Sequence, residues 1–391
     1  MKTITRLDKM YMKQALRLAS LGIYTAYPNP AVGCVIVRDG KIIGQGYHHK
    51  AGEPHAEVMA IRDAHEDVLG ACVYVTLEPC SHYGRTPPCA QKLIDMQVKR
   101  VVICCRDPNP KVCGRGQKML EDAGIEVVCG VYEKKGLMLN RAFMKAVTSG
   151  IPYVTLKVGM SLDGKSALST LESKWITSVF SRSRVQDLRA RCDCILTGSG
   201  TVIADDPSLN VRYAELPLKS RCMLDEGHLR QPLKVILDGR GRIETGRYHL
   251  FAEGNNLLVR GTSDPSRYET LEPLNEHTSV LNMPYAEELP HADKTAAEHY
   301  GIALKPLLLY LGRLGIRNVL VEAGATLVSS FLDADLYDEL YVFMAPKLLG
   351  MQSRSAFTTK EVSSLDKVQD MTLVKTSSLG DDVLLHYLKK V

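Results

Sequence analysis

The sequence predicts an α/β protein made of two three-layer α/β domains, residues 1–148 and 149–391. Apolar segments of strand length alternate with segments of helical periodicity through both halves, the pattern of largely parallel sheets covered on both faces. A helical segment ends at Gly150 with Pro152 just beyond it, which marks the boundary. At 391 residues the chain suits two or three domains, and 45% apolar with 24% charged residues is the balance of a globular protein with a sizeable core. Disordered, collagen-like and disulfide-stapled classes are excluded.

The elements follow in order. Arg6 to Leu21 has helical spacing of Met10, Met12, Ala15, Leu16 and Leu18, and a YPNP turn succeeds it. AVGCVIV and IIGQGY flank Arg38-Asp39-Gly40-Lys41, a hairpin signature because Asp-Gly tolerates the positive φ of a tight turn. A helix starts near Pro54, then come a buried strand ACVYVTL and a second helix from about Pro88. Strand VVICC, helix GQKMLEDAG and strand IEVVCG complete the sheet, and YEKKGLMLNRAFMKAVTSG reads as one closing helix. The second domain opens with strand YVTLKVGM and continues α/β to the end. Tyr213–Gln231 and Gly261–Tyr300, rich in Pro, Glu, Ser and Asn, read as insertions.

No apolar run approaches the roughly 18 residues of a spanning helix. The basic, amphipathic start lacks the apolar core of a signal peptide. A membrane partner is therefore not expected. Eleven cysteines, an odd number in a chain that needs no stapling, read as free or metal-binding thiols in a reducing, cytoplasmic compartment. Residues 1–150 carry 21 Lys and Arg against 14 Asp and Glu, a net +7, and the remainder carries 28 against 30. A positive first half suits an anionic substrate, nucleic acid or a solvated basic face, and charge alone does not choose.

Three fragments carry chemistry: PNPAVGC (Pro28–Cys34), PHAEV (Pro54–Val58) and EPCSHYGRTPPC (Glu78–Cys89). A catalytic zinc needs three N or S ligands and one open position. His55, Cys80 and Cys89 supply one imidazole and two thiolates, leaving Glu57 free to move protons. Residues i and i+2 do not face each other in mid-helix, so His55 and Glu57 share a site only at a helix N-terminus, where Pro54 is a suitable first-turn residue. Cys89 likewise opens an apolar-periodic helix, and a helix N-terminus favours its thiolate. Each fragment alone is weak; three ligands in this order, each at a strand end or helix start, point to zinc.

These residues resemble the cytidine and nucleobase deaminase superfamily, whose H-x-E…P-C-x-x-C signature includes a proton-carrying Glu that is not a ligand. His55-Ala56-Glu57 and Pro79-Cys80 match, but eight residues separate Cys80 from Cys89 rather than two. The longer form, with PNPAVGCVIV and GYHHKAGEPHAE, resembles the bifunctional deaminase–reductases of riboflavin biosynthesis over essentially the whole chain. The resemblance implies a zinc-dependent, cytidine-deaminase-like domain over 1–148 and an NADPH-dependent, dihydrofolate-reductase-like domain over 149–391. It implies zinc on His55, Cys80 and Cys89, with Glu57 catalytic. Asn29 and His48 would meet the base and ribose, and His82 and Arg85 the ribose and phosphate. For these four the alternative is a solvated loop or an ordinary turn residue.

In the second domain no G-x-G-x-x-G follows a strand. Two other strand-to-helix turns, DCILTGSGTVIADDP and NVLVEAGATL, present backbone N–H groups to an anion. With KVGMSLDGK and ESKWITS they resemble the family's reductase. The resemblance implies NADPH along Gly159, Trp175, Thr201, Asp205 and Gly324, Ala325, Thr326, Leu327, Val328, Ser329 and Ser330. Its substrate would meet Ser173, Arg189, Leu209, Arg212 and Glu322. A packed core indole is the alternative for Trp175, and a solvated arginine for Arg189. Arg240 or Arg242, just past strand KVILDG, would supply the cation that selects NADPH over NADH.

The implied function is zinc-dependent hydrolytic deamination of 2,5-diamino-6-(5-phosphoribosylamino)pyrimidin-4-one, then NADPH-dependent reduction to 5-amino-6-(5-phosphoribitylamino)uracil. Its partner is a small phosphorylated pyrimidine nucleotide, not nucleic acid, and a homo-oligomer is expected. Two other readings compete. A tRNA adenosine deaminase fits the +7 half, but the long Cys–Cys loop and the acidic second half oppose it. A closed structural zinc module would need a fourth ligand such as Cys72, Cys104 or Cys105.

Overall fold

The computed structural model describes residues 3–83, 87–109, 112–286 and 301–390. The chain divides into two compact units, Met1–Gly150 with Met223–Leu229, and Ile151–Cys222 with Arg230–Val391.

In the first unit α1 (Arg6–Ala19) opens with a capping box, in which Thr5 Oγ1 accepts from the Asp8 N–H at 3.1 Å and the Asp8 carboxylate accepts from the Thr5 N–H at 2.8 Å. Strands β1 (Gly33–Arg38) and β2 (Lys41–Tyr47) turn at Asp39 and Gly40, with φ of 50° and 76°. Then come α2 (Ala56–Asp63), β3 (Cys72–Leu77), α3 (Cys89–Asp95), β4 (Arg100–Cys105), α4 (Arg115–Asp122) and β5 (Glu126–Cys129). The sheet order is β2-β1-β3-β4-β5, with β1 antiparallel to both neighbours and β3 to β5 parallel. Alternate strand residues face opposite ways. Ile36, Val73, Val101 and Ile103 pack with Ala60, Leu93 and Leu120 of α2, α3 and α4. Val35, Tyr74 and Val102 pack against Tyr11, Met12 and Ala15 of α1. At Gly33 a Cβ would lie 2.1 Å from the Ala15 carbonyl oxygen, so the crossing of α1 over β1 requires glycine.

Two local expectations change. The helix near Pro54 starts at Ala56, with His55 as its N-cap and Pro54 outside it. The closing segment is two helices, α5 (Glu133–Leu139) and α6 (Arg141–Ser149), divided at Asn140, and Gly150 ends α6 with φ of 72°.

The second unit is a ten-stranded sheet. Its elements are β6 (Tyr153–Ser161), β7 (Lys165–Ala167), α7 (Val179–Arg191), β8 (Cys194–Gly198), α8 (Ser199–Asp205), α9 (Leu218–Arg221), β9 (Leu233–Leu237) and β10 (Asn256–Thr262). They continue with β11 (Leu271–Asn275), β12 (Thr278–Pro284), α10 (Leu304–Arg313), β13 (Asn318–Glu322), α11 (Ala325–Asp333), β14 (Glu339–Ala345), β15 (Arg354–Ser355), β16 (Met371–Leu379) and β17 (Asp382–Lys389). The order is β11-β12-β10-β9-β8-β13-β6-β14-β17-β16, and β7 pairs separately with β15. The seven strands from β12 to β14 run parallel, flanked by antiparallel β11 at one edge and by β17 and β16 at the other. Leu156, Leu196, Val235 and Val319 pack with Leu307, Leu311, Phe331 and Leu332 of α10 and α11. On the other face Ile195, Leu320 and Phe343 meet Leu188 of α7, and Ile236 and Leu258 meet Val202 of α8. Each unit is therefore three-layered. Tyr213–Gln231 holds only short helical turns, as an insertion would. The described part of Gly261–Tyr300 differs: β12 pairs in parallel with β10 and buries Leu281 and Met283, so it belongs to the sheet, while residues 287–300 of that expected insertion lie outside the described residues. Among the described residues no helix is long and apolar enough to cross a membrane.

Candidate functional site

In the first unit three local devices converge. His55 is the N-cap of α2, Cys80 follows the end of β3, and Cys89 is the first residue of α3. His55 Nδ1 lies 3.3 Å from Cys89 Sγ and 3.6 Å from Cys80 Sγ, and the three ligand atoms lie within 4.8 Å of one another. A tetrahedral zinc with ordinary bond lengths places N and S ligands about 3.5 Å apart, so the set fits that ion. No fourth His, Cys, Asp or Glu joins this group among the described residues, which fits the open coordination of a catalytic site. The Cys89 N–H donates to Cys80 Sγ at 3.2 Å and the Ala90 N–H to the Cys80 carbonyl at 3.1 Å, so the start of α3 orients the other thiol. Hydrogen bonds from the Cys89 thiol, from His55 and from this N–H push the Cys80 thiol pKa down.

Glu57, in the first turn of α2, is 3% exposed and reaches the Cys89 thiol with its carboxyl group. Burial and the nearby Cys80 sulfur push its pKa up to about 6. His48 is buried and pairs with the Asn29 side-chain amide at 3.0 Å and with the Pro54 carbonyl at 3.1 Å. Its ring meets that of His55 edge-on at 5.5 Å. Burial pushes its pKa down, which keeps it neutral. His82 is exposed on the loop between the cysteines, and Arg85 lies outside the described residues. Sequence reasoning missed Glu78. Its buried carboxylate accepts from the backbone N–H groups of Gly114 at 3.0 Å and Gln117 at 3.1 Å, at the start of α4. The signal was available: a glutamate immediately before Pro-Cys at the end of an apolar strand.

The second unit holds a cavity of 1740 Å³ along the carboxyl ends of its parallel strands, the usual ligand position in an open α/β sheet. Gly159, Trp175, Thr201, Asp205, Gly324, Ala325, Thr326, Leu327 and Ser330 line it, with Ser173, Arg189, Leu209, Arg212 and Glu322. Val328 and Ser329 do not. Val328 packs in the core, and the Ser329 hydroxyl accepts from the Thr358 N–H at 2.8 Å. Successive residues of a helix turn by about 100°, so an unbroken run from 324 to 330 cannot present every residue to one ligand. The Gly324 N–H donates to Thr201 Oγ1 at 3.2 Å, which brings the two glycine-rich turns together. Ser173 Oγ donates to Asp205 at 2.8 Å.

Arg189 is not solvated. It grips Glu322 through two nitrogens at 2.6 and 3.0 Å, and Lys157 approaches the same carboxylate at 3.4 Å. Burial opposes the charge on Glu322, yet Arg189 and Lys157 outweigh it and hold its pKa at about 2. Lys157, missed from sequence, was signalled by a charge inside the apolar strand YVTLKVGM. Arg212 pairs with Glu215, with one contact at 2.8 Å. Trp175 is 63% exposed, with the Arg182 guanidinium 4.4 Å above its ring, so it is not a core indole.

A zinc-type cluster with a free carboxylate, followed by a cavity suited to a dinucleotide, defines a nucleobase-type deaminase joined to a reductase. The cytidine and deoxycytidylate deaminase zinc-binding region matches residues 5–105, and the RibD C-terminal domain matches residues 152–385. The riboflavin biosynthesis protein RibD of Escherichia coli K12 is 43% identical over 97% of this chain and 98% of its own length, and that of Aquifex aeolicus 38% over 98% and 99%. The solved structure of Acinetobacter baumannii RibD superposes with a TM-score of 0.84 at 40% identity, covering 99% of both chains. The Thermotoga maritima diaminohydroxyphosphoribosylaminopyrimidine deaminase/5-amino-6-(5-phosphoribosylamino)uracil reductase superposes with a TM-score of 0.82 at 32% identity, covering 98% and 99%. The chain belongs to the RibD family, the bifunctional deaminase–reductases of riboflavin biosynthesis.

Glu78 ties the Cys80 segment to α4. Glu78→Gln puts an amide donor against backbone donors, and zinc affinity, read by chelator competition, is expected to fall about 10- to 100-fold. Unchanged zinc affinity would reduce Glu78 to a fold contact.

Proposed function

We propose that the first unit deaminates 2,5-diamino-6-(5-phosphoribosylamino)pyrimidin-4-one and that the second reduces the product's ribosyl side chain with NADPH to give 5-amino-6-(5-phosphoribitylamino)uracil. The observation that carries the reading is the convergence of His55, Cys80 and Cys89 beside the buried carboxyl of Glu57. The deaminase and reductase activities for which the Thermotoga maritima relative is named support the substrate. His55, Cys80 and Cys89 would hold a zinc ion, whose chemistry would be to acidify a water for attack on the amino-bearing ring carbon, and the cavity of the second unit would hold a nicotinamide cofactor, whose chemistry would be hydride transfer. Glu57 takes a proton of the attacking water on its carboxylate and hands it to the ring nitrogen; it then takes the proton of the hydroxyl added to the ring carbon and delivers it to the amino group, which leaves as ammonia as the carbonyl forms. Asn29 and His48 face the base and ribose, and His82 and Arg85 the ribose and phosphate. In the reductase, the Gly198–Thr201 and Gly324–Leu327 turns hold the cofactor's phosphates, while Arg189, Arg212 and Glu322 hold the substrate.

Selection of NADPH falls to the loop after β9. Buried Asp238 accepts from the N–H groups of Arg242 at 2.9 Å and Ile243 at 2.8 Å, and this fixes the loop on which Arg240 and Arg242 line the cavity. Arg242 also donates to Ser199 Oγ at 2.9 Å, beside the first glycine-rich turn. Replacing Arg242 with Ala is expected to lower the NADPH/NADH preference about tenfold or more, since one charge-assisted contact is worth about 1.5–3 kcal/mol. An unaltered ratio excludes Arg242 and leaves Arg240 as the cation to be replaced next. Eleven cysteines with no disulfide among them support a cytoplasmic setting, and the assembly is taken to be a homo-oligomer.

The experiment is NADPH oxidation by the zinc-loaded protein supplied only with the undeaminated nucleotide. Oxidation accompanied by ammonia release supports the sequence of reactions. Ammonia release without oxidation overturns the reductase half.

A further inference from the structure

We propose that Asn140, at the break between α5 and α6, is a positioning residue of the deaminase that sets the Asn29 loop against the substrate's base. The proposal rests on the assignment of Asn29 and His48 to substrate made above. Asn140 is 5% exposed and lies far from the loop in sequence, yet its side chain pairs twice with one backbone residue there. Its Oδ1 accepts from the Ala31 N–H at 2.8 Å, and its Nδ2 donates to the Ala31 carbonyl at 3.0 Å. The amide thus imitates a peptide group and pairs with the chain two residues before β1 begins.

Ala31 is itself buried, so its two backbone groups need partners. One residue further on, the Val32 carbonyl accepts from the His48 N–H at 2.9 Å, and β1 follows. The segment is therefore pinned on one side by Asn140 and on the other by His48. Asn29 sits two residues before the Asn140 contact, with its amide 3.0 Å from His48 Nε2. His48 in turn touches the Pro54 carbonyl, next to His55. A short rigid path runs from Asn140 through Ala31 to Asn29 and His48. Asn140 is also the residue at which the helix breaks, with φ of −106° and ψ of 22°.

The test is Asn140→Asp, which keeps shape and the acceptor for the Ala31 N–H but removes the donor to its carbonyl. Deamination kinetics, zinc content and reduction of the pre-deaminated nucleotide are measured for Asn140→Asp, Asn29→Ala and the double variant. The expected result is a roughly tenfold higher KM for deamination in Asn140→Asp, with zinc content and the reductase reaction unchanged. In the Asn29→Ala background the same change should have no further effect, because coupled residues are not additive. An equal KM effect in both backgrounds, or loss of zinc with unchanged KM, overturns the proposal. A native KM in Asn29→Ala overturns instead the substrate assignment beneath it. If the first unit of Asn140→Asp does not fold, as loss of its thermal transition would reveal, Asn140→Ser carries the same comparison.

Discussion

Glu57→Gln is expected to keep its zinc and to lose ammonia release by about 10²- to 10⁴-fold, the contribution of a positioned proton carrier. Glutamine preserves the volume of the buried side chain and its reach to Cys89, but it carries no exchangeable carboxyl proton. The three candidate ligands are untouched, so metal content should match the parent. Supplied with undeaminated nucleotide, the variant should oxidise no NADPH. Supplied with the deaminated nucleotide, it should oxidise NADPH at the parental rate. Full ammonia release would remove Glu57 from the mechanism, and loss of zinc would make it a ligand or a support for one.

The second large effect is expected at Arg189. Replacement by Met strips the main partner from a buried carboxylate and leaves Glu322 with Lys157 alone at 3.4 Å. Removing one partner of a buried pair typically costs about 3–5 kcal/mol, most of it from the charge left behind. The pH dependence gives a separate check. Glu322 has a pKa of about 2 in the folded chain against an ordinary 4.5, so its stabilisation is complete above about 4.5 and fades as pH falls towards 2. The difference in unfolding free energy between parent and Arg189→Met should therefore be largest near neutrality and shrink through that acid window. The reductase reaction should fail while ammonia release continues. An unchanged thermal transition at neutral pH would mean that the pair adds nothing to the stability of the unit.

What could be read from the sequence was what short-range chemistry dictates. Asp39-Gly40 has one conformational solution, and the hairpin turns there. His55, Cys80 and Cys89 are reactive types at element ends, and the fold brings them together without further information. Long-range pairing was harder to read. Nothing near Arg189 announces Glu322, 133 positions away, and the arginine, a substrate contact by resemblance with a solvated side chain as the alternative, is buried on that carboxylate. Polar residues around Leu281 and Met283 hid a strand one place in from the sheet edge, because Asn282, buried between them, interrupts the apolar run that such a strand would otherwise show. The break at Asn140 was hidden by helix formers on both sides. The Asn140 amide pairs with Ala31, which no local window contains. A resemblance marks the continuous stretch from Gly324 to Ser330, whereas a helix shows a ligand only one side, and Val328 and Ser329 face away from the cavity.

The exposed indole of Trp175 has a practical consequence. It is the sole tryptophan of the chain and stands at the cavity of the second unit under the Arg182 guanidinium. Tryptophan emission therefore comes from one address. Titration with nicotinamide cofactor can be followed as quenching of a single fluorophore, with no background from the zinc-type unit. The molecule carries its own optical label for one of its two reactions and is dark for the other.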